Sequence, residues 1–217
     1  MIENNPALPD LNPVHLTEIT LASGTVLHRI HRNPYRAPQF NASGEGNARF
    51  SPVRDSDGQI IPTLYAGTSF DCAAMETVFH DVPCIPGFKT YPKERLAGHR
   101  HAKVRMTETL RLIDLSSKAL RRLGITRAQL IDTEKDRYPH TRRWAEWVHA
   151  QSDAQGLRWV SRQDDTAIAI VLFGDRVKAD VVVEEGEGRC LLDSESAYAE
   201  ILALADKIGV LVIPGHG

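Results

Sequence analysis

The sequence predicts an α+β fold, a compact core of mixed and antiparallel sheet with flanking helices. Three observations lead there. Segments with the short apolar runs or two-residue alternation of strands outnumber those with helical spacing. The two kinds do not alternate regularly, as a doubly wound sheet requires. No internal repeat or low-complexity tract breaks the pattern, and 217 residues suit one domain of generous size.

The elements follow in order. Residues 1–20 read as an extended N-terminal arm, because Pro6, Pro9 and Pro13 oppose a helix. A single domain then fills 21–217. "TVLHRIHR" (25–32) alternates Val26, His28 and Ile30 against Leu27 and Arg29, a strand. "PTLYAG" (62–67) is a second strand, stopped by Gly67. Ser69 is a suitable N-cap for a helix over about 70–81. "VPCIPGFKTYPKERLAGHRH" (82–101), with three prolines and two glycines, reads as loop. Strands follow at 102–106 and 110–115. Thr126 can cap a short helix over 127–132. "YPHTRRWAEWVHAQS" is a stronger helix, with Pro139 near its start and Trp144, Trp147, Val148 and Gln151 along one stripe. "LRWVS", "AIAIVLF", "ADVVV" and "RCLL" make a strand-rich block. Asp193 or Ser196 opens a last helix with apolar positions Tyr198, Ile201, Leu202, Ala205 and Ile208. Gly209 ends it, and "VLVI" closes the chain as a strand.

Hydrophobic content of 42% and charged content of 25% are ordinary for a globular protein. A net charge of −2 gives no global attraction to nucleic acid or to a membrane. The charge is uneven, with 13 Lys/Arg against 6 Asp/Glu over 95–149 and seven acids against one arginine over 180–200. Ordinary solvated surface accounts for such runs more often than a charged partner does. Cys72, Cys84 and Cys190 match no zinc or redox spacing, so a reduced cytoplasmic protein is expected. No run reaches the roughly 20 apolar residues of a membrane span. "MIENNPALPDLNPVHL" has neither the basic nor the apolar region of a secretory signal.

The common phosphate-cradling, zinc-protease and serine-hydrolase signatures are missing. "GEGNAR" (44–49) could let backbone approach a ligand, but a plain turn is the better reading of so weak a pattern. Nine histidines invite a metal. His28 and His31 point to opposite faces of a strand, however, and His99 and His101 have no third ligand at useful spacing, so no metal site is expected. Arg29 sits in an apolar strand, Tyr65 near a strand end, and Ser161 at a strand terminus. Each has a bland reading. Glu76 is the odd residue. Its helix packs Ala73, Ala74, Met75, Val78 and Phe79, so a carboxylate at the edge of that apolar face either meets solvent or faces a cleft.

In order, these segments are more specific than any one of them. Arg29 in "VLHRI", then "ARFSP", "PTLYAGTSFDCAAMETVF", "LRLIDLSS", "TRRWAEWVHAQSDAQGLRWVSR" and "IAIVLFGDRV" resemble the RES domain family, over about residues 24–177. Residues 178–217 are then a C-terminal extension. The resemblance places Arg29, Glu76 and Ser161 on the family's three naming residues, with Arg49 and Tyr65 on two further positions. Where the family more often has "GRW", this chain has "ARF".

The resemblance implies a fold like that of ADP-ribosyltransferase toxins and an enzyme that degrades NAD+. Nicotinamide–ribose cleavage would use inorganic phosphate or water as acceptor and no bound cofactor. It also implies a toxin role, with a helix-turn-helix antitoxin covering the site and nucleic acid reached only through that antitoxin. Self-association stays open. Arg29 and Arg49 suit the pyrophosphate, since a guanidinium binds phosphate oxygens bidentately. Tyr65 would stack on nicotinamide or bond a ribose hydroxyl. Glu76 would bond the ribose hydroxyls and stabilise the oxocarbenium-like state, or orient the attacking phosphate or water, and Ser161 would bond a phosphate or ribose oxygen. Two alternatives remain at this point: an ADP-ribosyltransferase acting on a macromolecule, and a non-catalytic protein-binding module.

Overall fold

The computed structural model describes residue 8 and residues 16–215. In chain order these form β1 (Glu18–Leu21), β2 (Val26–Arg32), β3 (Val53–Arg54), β4 (Ile60–Ile61), β5 (Thr63–Gly67), α1 (Phe70–Thr77), β6 (Lys89–Pro92), β7 (His99–Met106) and β8 (Leu110–Asp114). Then come α2 (Ser117–Arg122), α3 (Arg127–Leu130), α4 (Tyr138–Gln151), β9 (Gly156–Val160), β10 (Ile168–Phe173), β11 (Val182–Cys190), α5 (Glu195–Lys207) and β12 (Val210–Ile213). Single 3-10 turns occupy Lys93–Leu96 and Lys135–Arg137.

Eight strands form one sheet in the order β1-β8-β9-β10-β5-β2-β7-β11. Every pairing is antiparallel except β8 with β9, so the expected mixed α+β architecture is the one observed. The sheet has a weak seam. Across β2 and β5 only His28 and Gly67 face each other, and the ladder ends there. A cleft opens at this seam.

Of three apolar clusters, one gathers Leu27, Leu64, Val104 and Met106 from the sheet strands themselves, and two pack helices onto the sheet. One packs α2, α3 and α4 on β8, β9 and β10, with Trp144, Trp159, Phe50 and Phe173 fully enclosed. Burying each such side chain contributes about 1.5–3 kcal/mol. The other packs α1 and α5 with β6 and β12 around Phe79, Leu191 and Ile201. Gly67 lets α1 approach β5, since a Cβ there would lie 2.7 Å from Cys72 Sγ.

Several expectations need correction. The last residues of the expected arm are not separate from the domain: residues 18–20 belong to β1, which pairs with β8. Residues 1–7 and 9–15 of that arm lie outside the described residues. The 82–101 segment is not all loop, because Lys89–Pro92 pairs in parallel with β12 and β7 begins at His99. The ends of "ADVVV" (Val182 and Val183) and "RCLL" (Arg189 and Cys190) that are strand belong to one strand, β11, carried past Gly186 and Gly188 by a bulge against β7. Helix α1 ends at Thr77, four residues short of expectation, although Ser69 caps it by accepting from Cys72 N. Ser194, not Asp193 or Ser196, caps α5. Helix α2 had no prediction. Among the described residues no helix is long and apolar enough to cross a membrane.

Candidate active site

A cleft of about 600 Å³ opens at the seam, lined by β2, β5, α1 and the 39–51 loop. That size suits a cofactor-sized ligand. Arg29, Arg49, Tyr65 and Glu76, four of the five residues singled out from the sequence, line it. Ser161 does not, although it is bonded directly to one of them.

Arg29 projects from β2. Its Nη1 donates to the carbonyls of Ala37 (2.5 Å) and Gln39 (2.8 Å), which pins the following loop. No carboxylate lies within ion-pair distance of it among the described residues. Burial without a counter-charge pulls its guanidinium down to about 10. The neighbouring His31 is also held below its ordinary value, first by burial and then by the Arg29 charge.

Arg49 arrives from the other wall and is buried. Its Nη1 donates to Thr133 Oγ1 (2.6 Å) and to the Thr133 carbonyl (3.2 Å). The guanidinium lies over the Tyr138 ring, 4.9 Å from its centroid. Burial again lowers its pKa. The backbone here is tied to its surroundings. Thr141 of α4 donates to the Arg49 carbonyl, Arg142 donates to the Ala48 carbonyl (3.3 Å), and Phe50 N donates to the Tyr65 hydroxyl (3.0 Å). Tyr65 therefore braces the turn that carries Arg49, and burial raises the pKa of its phenol.

Glu76 stands in the last turn of α1. Its Oε1 accepts from Ser161 Oγ at 2.6 Å. Ser161 is fully buried at the end of β9, and its oxygen accepts from Gln163 N (3.0 Å) and Asp164 N (3.1 Å). A hydroxyl has one proton to give, and Ser161 gives it to Glu76. The direct bond to a substrate oxygen expected of Ser161 is therefore not available. The residue stands behind Glu76 and orients its carboxylate.

Cys72 also borders the cleft, but burial pushes its thiol up to about 12, which removes it as a nucleophile. The arrangement can hold two anionic groups on guanidiniums and set one oriented carboxylate against a developing positive charge.

The family profile described as RES domain matches residues 26–193, more than three quarters of the chain. The chain belongs to the RES domain family. Among solved structures it is similar to a chain of the M. tuberculosis MbcT-MbcA toxin-antitoxin complex, with a TM-score of 0.58 at 14% identity. That alignment covers 85% of this chain and 92% of the other. Comparison with curated proteins finds no match. At that identity the structural likeness establishes the fold.

This RES domain also brings to the cleft residues that the sequence reading passed over. His80, Asp81 and Lys135 line it, and Tyr138 lies just beneath. His80 lies three residues beyond Thr77, the last residue of α1, so no helical spacing in the sequence marks it. Nothing local in the sequence ties Tyr138 or Lys135, some sixty residues on, to that helix end.

Proposed function

We propose that this protein is an NAD+-degrading enzyme that cleaves the nicotinamide–ribose bond, by phosphorolysis or hydrolysis. We propose further that it acts as the toxin of a bacterial toxin–antitoxin pair. The observation that carries the chemistry is the charge pattern of the cleft. Two guanidiniums with only neutral protein partners border a single cavity that also holds a carboxylate fixed by a buried serine. A dinucleotide has the matching parts, a pyrophosphate for the arginines and a cationic nicotinamide riboside for Glu76.

In this reading the C1′–N bond breaks with its electron pair passing to the pyridinium nitrogen, so nicotinamide leaves neutral. The ribose carbon becomes oxocarbenium-like, and Glu76 stabilises it. Inorganic phosphate or water then adds at C1′, giving ADP-ribose 1″-phosphate, or ADP-ribose and a proton. Membership of the RES family and the likeness of fold to a chain of a toxin–antitoxin complex support the toxin role and a helix-turn-helix antitoxin as partner.

The test is proton and phosphorus NMR of NAD+ with purified, partner-free protein, with and without inorganic phosphate. Phosphate-dependent nicotinamide release with a new phosphomonoester marks a phosphorylase. Release without phosphate marks a glycohydrolase. Intact NAD+ after incubation with folded protein refutes the proposal.

A further inference from the structure

Just past the end of α1, the cleft wall holds a chain of polar side chains to which the proposed reaction gives no role. His80 Nδ1 lies 2.8 Å from Asp81 Oδ1, and His80 Nε2 lies 3.0 Å from the Tyr138 hydroxyl. Arg49 Nη2 is 3.4 Å from the same hydroxyl. Lys135 Nζ meets Asp81 Oδ1 at 2.5 Å.

The direction of each bond follows from the chemistry at the two ends and a single proton on the ring. A guanidinium only donates, so the Tyr138 oxygen accepts from Arg49 and must place its own proton elsewhere. Asp81 is ionised, because the His80 imidazole and the Lys135 ammonium hold its carboxyl below the ordinary range. It therefore accepts the Nδ1 proton of His80. With Nδ1 carrying the single ring proton, Nε2 offers a lone pair that takes the Tyr138 proton. Burial keeps Tyr138 protonated and able to give it. Each group donates to the next, Arg49 to Tyr138 to His80 to Asp81, and bonds aligned in this way polarise one another.

We propose that Asp81, His80 and Tyr138 form a positioning relay for Arg49. The relay fixes the guanidinium at the cleft and supplies its counter-charge through two intervening side chains. A carboxylate placed directly on Arg49 would satisfy it and compete with an anionic ligand. Here the direct partners are Tyr138, Thr133 and the Leu130 carbonyl, all neutral, so the guanidinium keeps its attraction for an incoming anion. That the anion is the pyrophosphate of NAD+ rests on the function proposed above.

Two measurements test the relay. The first is independent of activity: two-bond proton–nitrogen NMR correlations of the histidine rings in the free protein, with His80 assigned through His80→Gln. Neutral imidazole in water favours the Nε2–H tautomer, whereas the relay requires Nδ1–H at His80. Finding Nε2–H overturns it. The second is kinetic. Asp81→Asn, at an exposed position that tolerates the change, and Tyr138→Phe should each raise KM for NAD+ by about 5- to 20-fold, with kcat held within about twofold. The double variant should be little worse than the worse single one, as for groups acting in series. Independent, multiplying effects, unchanged KM, or a loss confined to kcat overturns the relay. If the wild-type protein leaves NAD+ intact, the proposed function fails, and calorimetric affinity for ADP-ribose replaces KM. Binding that is equal in wild type and Asp81→Asn, or no binding to either, then overturns the relay's role while the tautomer still reports its hydrogen bonds.

Discussion

Ser161→Ala separates two roles for one residue. A serine that bonds substrate would be felt in KM. A serine that orients Glu76 would be felt in kcat and in stability. The geometry sets the scale. The bond to Glu76 is short, at 2.6 Å, and its acceptor is a carboxylate, so its loss costs about 1.5–3 kcal/mol. The N–H groups of Gln163 and Asp164 lose their acceptor as well. Both residues are half-exposed, so water takes over part of that work, and about 1 kcal/mol more is lost. A destabilisation of about 2.5–4 kcal/mol lowers Tm by roughly 5–15 °C for a chain of this size. In catalysis, a carboxylate freed to rotate forfeits part of its stabilisation of the ribosyl cation. A kcat loss of about 10- to 100-fold is expected, which corresponds to about 1.4–2.7 kcal/mol. KM should hold, because Ser161 is fully enclosed and does not border the cleft. The assay is nicotinamide release at graded NAD+ concentrations, alongside thermal unfolding of the same preparations. A raised KM with unchanged kcat and Tm would refute the orienting role and return Ser161 to the substrate.

Glu76→Gln should retain the fold and lose about 100-fold or more in NAD+ consumption, the scale of a removed electrostatic group; a purified variant with full turnover removes Glu76 from the mechanism. Arg29→Lys should raise KM for NAD+ at least tenfold, because a point charge cannot both tie the Ala37 and Gln39 carbonyls and present a fork to phosphate; unchanged KM excludes Arg29 as a clamp. Gly67→Ala sets a methyl 2.7 Å from Cys72 Sγ, should cost about 1–3 kcal/mol in urea unfolding, and should lower kcat by displacing α1 with Glu76. His101, whose pKa burial lowers from 6.5 to about 3, binds a proton more readily unfolded than folded between those values. Its contribution to stability is therefore complete above about 6.5 and is lost as pH falls toward 3, so wild type should lose stability on acidification more steeply than His101→Gln.

What the sequence revealed follows from the range of the forces that set each element. The β2 and β5 strands, the Ser69 cap, α4 and the apolar face of α5 rest on local spacing and capping, and these were legible. Strand β6 was not, because "KTYP" becomes a strand only through β12, more than a hundred residues away, while the prolines around it argue locally for loop. Strand β11 was read as two for a similar reason: Gly186 and Gly188 look like breaks until β7 supplies the ladder across them. At the site, Arg29, Arg49, Tyr65 and Glu76 could be located through ordered motifs. The partner of each was hidden. The commitment of Ser161 to Glu76, the Tyr65 brace on Phe50 N and the His80–Tyr138 bond are all contacts between distant segments, fixed by packing and not by spacing.

The same contacts explain how one cleft can favour both binding and release on the proposed reaction. Before cleavage the ligand carries a pyrophosphate anion and a nicotinamide cation, and the cleft offers guanidiniums to the one and a carboxylate to the other. Cleavage abolishes the cation, because nicotinamide departs neutral. With phosphate as acceptor, a new dianion replaces it beside Glu76. The attraction that oriented the substrate becomes repulsion of the product, concentrated at the end of the ligand that has reacted. A carboxylate fixed by Ser161 cannot turn away from that charge. Glu76 then does more than stabilise the transition state, since its charge also distinguishes substrate from product. Glu76→Gln should accordingly bind ADP-ribose 1″-phosphate more tightly than wild type does, even as it loses turnover. Calorimetric titration of the two proteins with that product decides the matter, and weaker or equal binding by the variant would show that Glu76 does not sense the reacting end.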